Sequence, residues 1–277
     1  EMSRGLGDVY KRQPLYKERD KTYAGIKKEL SPYGVCGLDF KELEADEKKY
    51  VKKCFKEQIL PVLSPQIVDS SHPFPHLMNK DIYVTANLKH INSRKNKDDK
   101  EKEQILGIVP VPTYVSDILM LPGHDIRYIR MEKVIMEYLD LVFDQYEVSD
   151  PNYICVTRNA DVSPDDEALE VTDDFRKLMQ STLHKRRRMA VVRLETAEKL
   201  TPEMQEYFCK KFKITPEQIF RTKMPMKLDY MFSIAGNLPE SMKKALVYEP
   251  FSPQKSAHVQ DGNMLKQVKK NDILLFY

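Results

Sequence analysis

The spacing of apolar side chains in the first part of the chain predicts two short amphipathic helices. One covers 14–30 and stops at Ser31–Pro32, because proline does not continue a helix. The other covers about 44–59, with apolar side chains on one face and lysines on the opposite face. Helices of this kind need partners to bury their apolar stripes. They are therefore interpreted as the remnant of an α-helical bundle domain.

A change of period after Pro61 predicts strands. Residues 81–90 alternate apolar and polar side chains, which is typical of a half-buried strand, and 105–112 follows as a second strand. The fully charged run 92–104 lies between them. We expect a hairpin with this run as its solvated tip.

The remaining pattern alternates between helical and strand periods. It predicts helices at about 131–143, 171–188, 201–212 and 215–220, and strands at 153–158 and 189–196. Thr-Pro-Glu begins each of the last two helices, which places a capping residue before a proline at the first helical position. Strands followed by alternating helices and strands predict an α+β fold with a mixed or antiparallel sheet and covering helices.

Charge and cysteine content restrict the class of protein. The chain has 45 Lys and Arg against 42 Asp and Glu, a net charge of +3, so any basic site must be local. Its four cysteines are scattered, which favours free thiols in a reducing cytoplasm. No apolar run approaches the roughly 20 residues of a membrane-spanning helix. We predict a cytoplasmic protein; nucleic acid is not an expected partner, and peripheral membrane association is not visible in the sequence.

Two prolines decide how the segment DSSHPFPHL, residues 69–77, is interpreted. Its two histidines have the i, i+4 spacing of a helical metal pair, but Pro73 and Pro75 exclude a helix. No nearby cysteine or second histidine pair completes a tetrahedral metal site. We expect a rigid connection in which Asp69 accepts hydrogen bonds from local backbone amides.

Three charged stretches are further candidates. Arg158 and Asn159 follow a predicted strand, where functional side chains often lie, or form a turn in which Arg158 pairs with Asp161. The acidic run ADVSPDDEALE is compatible with magnesium but favours a capped helix start. The basic run 184–188 either contacts phosphates of a polyanion or completes a helix C-terminus. No glycine-rich phosphate loop, Ser–His–Asp set or Cys–His pair can be assigned.

Several short motifs occur in one order along the chain. They are ILPVLSP (59–65), DSSHPFP (69–75), MEKVI (131–135), LVFDQYEV (141–148), VTRNADV (156–162), RRRMAVVRLE (186–195) and NDILLFY (271–277). Together they resemble the middle, or head, domain of the large, phosphohistidine-type bacterial polyphosphate kinases. The most diagnostic positions are Asp69, His72, Pro73, Phe74 and Pro75.

The resemblance implies a parent transferase that reversibly moves the terminal phosphate of ATP onto inorganic polyphosphate, with Mg²⁺ as a cofactor. It also implies that the phosphorylated histidine lies downstream of Tyr277 and that the ATP-contacting asparagine precedes this chain. No residue here therefore inherits a catalytic, nucleotide-binding or metal-binding role. We expect the fragment alone to be inactive and to bind no cofactor.

The same resemblance predicts the domain organisation, and both ends of the chain look cut. Residues 1–13 are interpreted as a non-native assembly scar, 14–58 as the end of an N-terminal helical domain, 59–262 as the head domain and 263–277 as the start of a phospholipase D-like domain. The head domain is expected to form a homo-oligomer. Candidate polyanion or interdomain contacts are Arg158, Asn159, Lys185, Arg186, Arg187, Arg188 and Arg193. The alternative function is a stand-alone module that binds polyphosphate or RNA through the basic run.

Overall fold

The computed structural model describes residues 2–91, 105–123, 125–159, 190–246, 248–249, 251–252 and 264–272. The chain divides into two compact units, Glu1–Asn237 and Leu238–Tyr277. In the second unit, the described helices are Glu240–Leu246 and Met264–Val268. All features discussed below lie in the first unit.

The first unit contains both helices and strands. Its described helices are α1 (Met2–Leu30), α2 (Ala45–Cys54), α3 (Met131–Glu137), α4 (Leu139–Val142), α5 (Pro202–Phe212) and α6 (Tyr230–Asn237). Its described strands are β1 (Val35–Leu38), β2 (Gln66–Val68), β3 (Ile82–His90), β4 (Ile105–Pro110), β5 (Ile118–Met120), β6 (Ile126–Arg130), β7 (Tyr146–Arg158), β8 (Val191–Thr196) and β9 (Ile219–Arg221).

The described strands form two mixed sheets. One has the order β2-β4-β3-β7-β8-β9, in which only the β8–β9 pair is parallel among its described neighbours. The other has the order β1-β6-β5, with β1 parallel and β5 antiparallel to β6. The predicted α+β class and mixed sheet are confirmed, and so is the predicted pairing of β3 with β4.

The prediction of a half-buried β3 is wrong for the first part of the strand. Every residue from Ile82 to Ala86 is buried, because both faces of the sheet are covered. Val84 packs in a cluster that includes side chains of α2 and α3. Tyr83 points into a second cluster that contains Phe208 and Phe212 of α5. Because tyrosine carries a hydroxyl, the sequence pattern counted Tyr83 as a polar, exposed position although it is buried.

Three other predictions need correction. The helix predicted at 131–143 breaks at Tyr138 into α3 and α4. The stretch 215–220 forms only one 3₁₀ turn, Pro216–Gln218, and then joins the sheet as β9, because Phe220 packs inward beside β8. The helix predicted at 14–30 begins earlier, since α1 runs from Met2 to Leu30.

Two further predicted helices are present, and two predicted segments lie outside the described residues. The helix predicted at 201–212 is confirmed as α5, and the Thr201 hydroxyl accepts a hydrogen bond from the Met204 amide at 3.3 Å, as an N-cap should. The helix predicted at 44–59 is present as α2 followed by one π turn, Phe55–Ile59. The charged run 92–104 and the helix predicted at 171–188 lie outside the described residues.

Candidate functional site

Asp69 closes a tight turn at the start of the segment DSSHPFPHL. Its Oδ1 accepts hydrogen bonds from the backbone amides of Ser71 at 2.8 Å and His72 at 2.7 Å, and it lies 2.9 Å from Nδ1 of His72. The predicted hydrogen bonds to local amides are therefore present. The His72 amide, above all, lowers the pKa of Asp69, since it stabilises the ionised carboxylate.

Aromatic packing fixes the middle of this segment against α5. The ring of Phe74 meets the edge of Phe212 with centroids 5.3 Å apart and lies 6.2 Å from the ring of Tyr207. Pro73 and Pro75 restrict the backbone on either side of Phe74. Leu77, at the end of the segment, is fully buried. The segment thus forms a corner, which we call the histidine–proline corner (69–77), between β2 and β3.

Arg158, at the end of β7, binds the histidine–proline corner. Its guanidinium donates to the Leu77 carbonyl from Nε at 3.0 Å and from Nη2 at 2.8 Å. Nη2 also lies 3.5 Å from Nδ1 of His76, and the Arg158 amide donates to Oδ1 of Asn79 at 2.9 Å. Two motifs that are far apart in sequence are therefore joined in one structural unit.

The turn expected after Arg158 is only partly described. The Asn159 amide donates to the carbonyl of Ala190 at 2.9 Å, which extends the pairing of β7 with the chain before β8. Asp161, the predicted partner of Arg158, lies outside the described residues, as do Lys185, Arg186, Arg187 and Arg188. Their proposed contacts with a polyanion stay predictions.

A second cluster joins α1 to the sheet through Arg193. Arg193 donates to the Thr157 hydroxyl at 2.9 Å and to the Tyr16 hydroxyl at 2.7 Å. Tyr16 in turn donates to Glu195 at 3.1 Å, and Arg19 lies 3.5 Å from the same carboxylate. We call Tyr16, Arg19, Arg193 and Glu195 the α1–sheet cluster. Sequence reasoning missed Tyr16, Arg19 and Glu195, because their partners are distant in the chain.

The surroundings of Tyr16 in the α1–sheet cluster favour a neutral phenol. Glu195 is only 5% exposed and sits between two guanidinium groups, each 3.5 Å away. Burial, and then the negative charge of Glu195, raise the pKa of Tyr16 to about 12. The hydroxyl therefore remains a hydrogen-bond donor at neutral pH. Contact between Arg193 and an external polyanion stays a prediction.

A third, buried network lies where β6 meets α3. Arg130 donates to Glu132 at 2.6 Å and to the hydroxyl of Tyr153 at 3.1 Å. Arg130 and Glu132 are each less than a tenth exposed, and burial raises the pKa of Glu132. Two opposite charges two residues apart, at the junction of an apolar strand and helix, were the sequence signal for this pair.

None of these networks assembles the groups of an acyl- or phosphoryl-transfer site. Burial, followed by the charge of Glu195, raises the pKa of the Cys155 thiol to about 12, so this cysteine is protonated at neutral pH. Within the described part of the chain, no three His, Cys, Asp or Glu side chains come close enough to hold a metal ion. The same part contains no helix that is long and apolar enough to cross a membrane. The observed contacts connect helices and strands that are far apart in the sequence.

The fold and these clusters define a mixed α/β module in which charged side chains connect the sheet, the helices and a proline-rich corner. A family model described as the polyphosphate kinase middle domain matches residues 46–234. Since the match covers more than half of the chain, the chain belongs to this family.

Curated relatives carry the same family name. The polyphosphate kinase of Bacillus anthracis is 29% identical over 248 residues, which are 88% of this chain and 34% of the relative. The polyphosphate kinase of Pseudomonas putida is 28% identical over 237 residues, which are 83% of this chain and 31% of the relative. The chain thus spans about a third of the length of these relatives.

A solved structure shares the fold. The crystal structure of polyphosphate kinase from Porphyromonas gingivalis aligns with a TM-score of 0.65 and 21% sequence identity. The alignment covers 95% of this chain and 37% of that chain. At this identity the likeness establishes the architecture of the two sheets and their helices.

Proposed function

We propose that this chain is the scaffold portion of a polyphosphate kinase. In this proposal, the parent protein reversibly transfers the terminal phosphate of ATP to inorganic polyphosphate through a phosphohistidine, with Mg²⁺ as a cofactor. The observation that carries the proposal is the family match over 46–234 in a chain that spans about a third of its relatives. In this proposal, the phosphohistidine is not one of the residues of this chain.

The contacts within the described residues support a scaffold role. Arg158 is engaged with the carbonyl of Leu77, and Arg193 with Thr157 and Tyr16, so both guanidinium groups connect elements of the fold. Phosphoryl transfer needs cations positioned around the moving group, together with an activated nucleophile. The buried Cys155 thiol does not meet the second requirement.

The proposal assigns the activity, ATP and Mg²⁺ to the parent and none of them to this portion alone. The head domain, 59–262, lies between the end of a helical domain, 14–58, and the start of a phospholipase D-like domain, 263–277. The parent works in the cytoplasm, and the head domain contributes to a homo-oligomer.

A polyphosphate synthesis assay tests the inactivity of this portion. The purified 277-residue chain is incubated with ATP and Mg²⁺, and polyphosphate and ADP are measured. We expect no product, whereas the full-length Bacillus anthracis relative under the same conditions serves as the positive control. ATP-dependent polyphosphate made by the chain itself would contradict the proposal.

Light scattering tests the oligomer. We expect the chain to show a mass that is a multiple of its own at the higher concentrations of a dilution series. The mass should fall towards that of one chain on dilution if the interface is weak. A single-chain mass at every concentration would remove oligomerisation from the proposal without affecting the assignment of the kinase activity.

A further inference from the structure

A cavity bounded by α1, the three-stranded sheet and α3 is lined largely by charged side chains. Its volume is about 210 Å³. The charged residues that line it are Asp20, Lys27, Asp39, Arg130, Lys133 and Lys223. The three networks described above account for Arg130 alone among these residues. The other five charged residues of the cavity have no role in those networks.

Two of the four cations in the cavity are neutralised by partners. Arg130 is paired with Glu132 at 2.6 Å. The Lys133 ammonium group is paired with Asp39, which is the N-cap residue of the 3₁₀ turn Phe40–Glu42. These two pairs contribute little net charge to the cavity.

Lys27 and Lys223 supply the surplus positive charge. Among the described residues, neither ammonium group forms an ion pair or hydrogen bond with another side chain. Asp20 is the remaining carboxylate, and its oxygens accept from the backbone amides of Lys223 at 3.0 Å and Met224 at 3.1 Å. The Thr222 hydroxyl donates to it as well, at 3.3 Å. These donors are neutral groups, so Asp20 still offsets one of the two lysine charges, and the lining keeps an excess of one positive charge.

The positive charge of Lys27 also affects the pKa of Lys133. Burial, and then the like charge of Lys27, lower the pKa of Lys133 to about 8 although Asp39 is paired with it. The ammonium groups of Lys27 and Lys133 therefore interact unfavourably across the cavity. An anion placed between them would relieve this repulsion.

Tyr128 and Gly37 complete one wall of the cavity. Burial raises the pKa of Tyr128 to about 12, so its hydroxyl is neutral. It approaches Gly37 so closely that a Cβ added there would lie 2.7 Å from the hydroxyl oxygen. Glycine at this position of β1 lets the tyrosine ring lie against the strand. This wall therefore adds a neutral polar group and no negative charge.

We propose that this cavity binds a small tetrahedral oxyanion, with Lys27 and Lys223 as its cationic ligands and Lys133, which is paired with Asp39, as a neighbouring donor. Charge-assisted hydrogen bonds from lysine to phosphate-like oxygens are short and strong. A volume of 210 Å³ is well above the roughly 10–15 Å³ needed to hold one water molecule, so an ion of phosphate size fits together with residual water. It is smaller than the roughly 300–1,000 Å³ of sites for drug-sized ligands, so a nucleotide is not the expected occupant. The proposal is independent of the kinase activity of the parent.

Titration with inorganic phosphate tests the site, in the absence of ATP and polyphosphate and at constant ionic strength. Isothermal titration of the 277-residue chain is compared with that of Lys27→Met and of Lys28→Met. Lys28 is exposed and next to Lys27 in α1, so its replacement makes the same change of charge outside the cavity. We expect Lys27→Met to weaken phosphate binding about ten-fold, the loss of one charge-assisted hydrogen bond. Lys28→Met should leave the affinity within about two-fold.

A second measurement follows Lys133 directly. Phosphate should raise the pKa of the Lys133 ammonium group, observed by NMR of isotopically labelled lysine, since a bound anion stabilises its charged form. The site would be overturned if phosphate did not bind, if both methionine variants lost affinity equally, or if the titration of Lys133 did not respond. Tighter binding of ATP at the same lysines would overturn the assignment to a small ion. Urea unfolding of each variant verifies that the comparison is made between folded proteins.

Discussion

The guanidinium of Arg158 donates to the backbone carbonyl of Leu77, 81 positions earlier in the chain, at 2.8 Å. A second donor of the same guanidinium reaches this carbonyl at 3.0 Å, so two hydrogen bonds to one oxygen hold the end of β7 to the histidine–proline corner. The corner is shaped locally by Asp69 and its prolines. Arg158 gives it a fixed position on the six-stranded sheet.

Replacement of Arg158 should therefore destabilise the fold. Arg158→Met keeps much of the side chain's apolar stem but leaves the Leu77 carbonyl without its side-chain donors. We expect the free energy of unfolding in urea to fall by about 1–3 kcal/mol, the cost of a buried group that loses its partner.

Lys49→Met is the control for this change. Lys49 pairs with Asp46 on the surface of α2, with 79% and 93% of the two side chains exposed. An exposed ion pair contributes only about 0–1 kcal/mol. Equal losses in the two variants would show that Arg158 does not hold the corner.

Local signals in the sequence predicted a large part of the fold. The alternation of apolar residues predicted the β3–β4 hairpin, and Thr201 before Pro202 predicted the start of α5. Both signals depend on residues that are close in sequence. The same is true of Asp69, whose hydrogen-bond partners are two and three residues away.

Features made by distant residues were not predictable in this way. The three-stranded sheet was missed because Val35–Leu38 is short, contains Cys36 and Gly37, and pairs with β6 far along the chain. Arg193 was considered a contact for external anions, whereas the partners observed among the described residues include Tyr16. A single sequence carries no signal for that pairing, since nothing in the local pattern distinguishes a buried partner from a bound ion.

Acid should weaken the contribution of Asp69 to stability. The amide of His72, above all, lowers the pKa of this carboxyl, so its stabilising effect is fully present above the ordinary aspartate pKa of about 3.9 and is lost as the pH falls through the lower folded-state value. The difference in unfolding free energy between the wild type and Asp69→Asn should therefore be largest near neutral pH and should shrink below about pH 4.

Asp46→Asn provides the comparison for this pH series. The Asp46 side chain is 93% exposed and, among the described residues, pairs with Lys49 on the surface of α2. A difference between the wild type and Asp69→Asn that stayed constant down to strongly acidic pH would argue against the ionised carboxylate as the stabilising form.

The α1–sheet cluster should depend on the charge of Glu195. In the structure, the guanidinium groups of Arg19 and Arg193 each lie 3.5 Å from the Glu195 carboxylate. Glu195→Gln leaves the two arginines close together without this negative charge between them. Removing one partner of a buried ion pair typically costs about 3–5 kcal/mol. Because Arg19 and Arg193 are each about a third exposed or less, we expect the lower end, about 3 kcal/mol, in urea unfolding.

Hydrogen exchange locates the effect of this change. Amides of α1 around Tyr16 should exchange faster in Glu195→Gln, because the charged acceptor that binds Tyr16 to the sheet becomes a neutral, weaker one. Glu198→Gln, at a surface pair, should leave exchange in α1 unchanged. Faster exchange in both variants, or in neither, would disprove this role of the cluster.

The contact between Gly37 and Tyr128 predicts that a methyl group is not tolerated in β1. A Cβ at residue 37 would lie 2.7 Å from both Cζ and the hydroxyl oxygen of Tyr128, which is buried and 4% exposed. The ring must therefore move against its neighbour Tyr230, whose centroid is 5.7 Å away. We expect Gly37→Ala to lower the free energy of unfolding by about 1–3 kcal/mol, the usual cost of overpacking.

Gly25→Ala in α1, where no atom lies within 4 Å of the added Cβ, should instead be neutral or stabilise the helix by up to about 1 kcal/mol. If Gly37→Ala proved as stable as the wild type while Gly25→Ala behaved as expected, Tyr128 would have to occupy a different position from the one that forms the cavity wall.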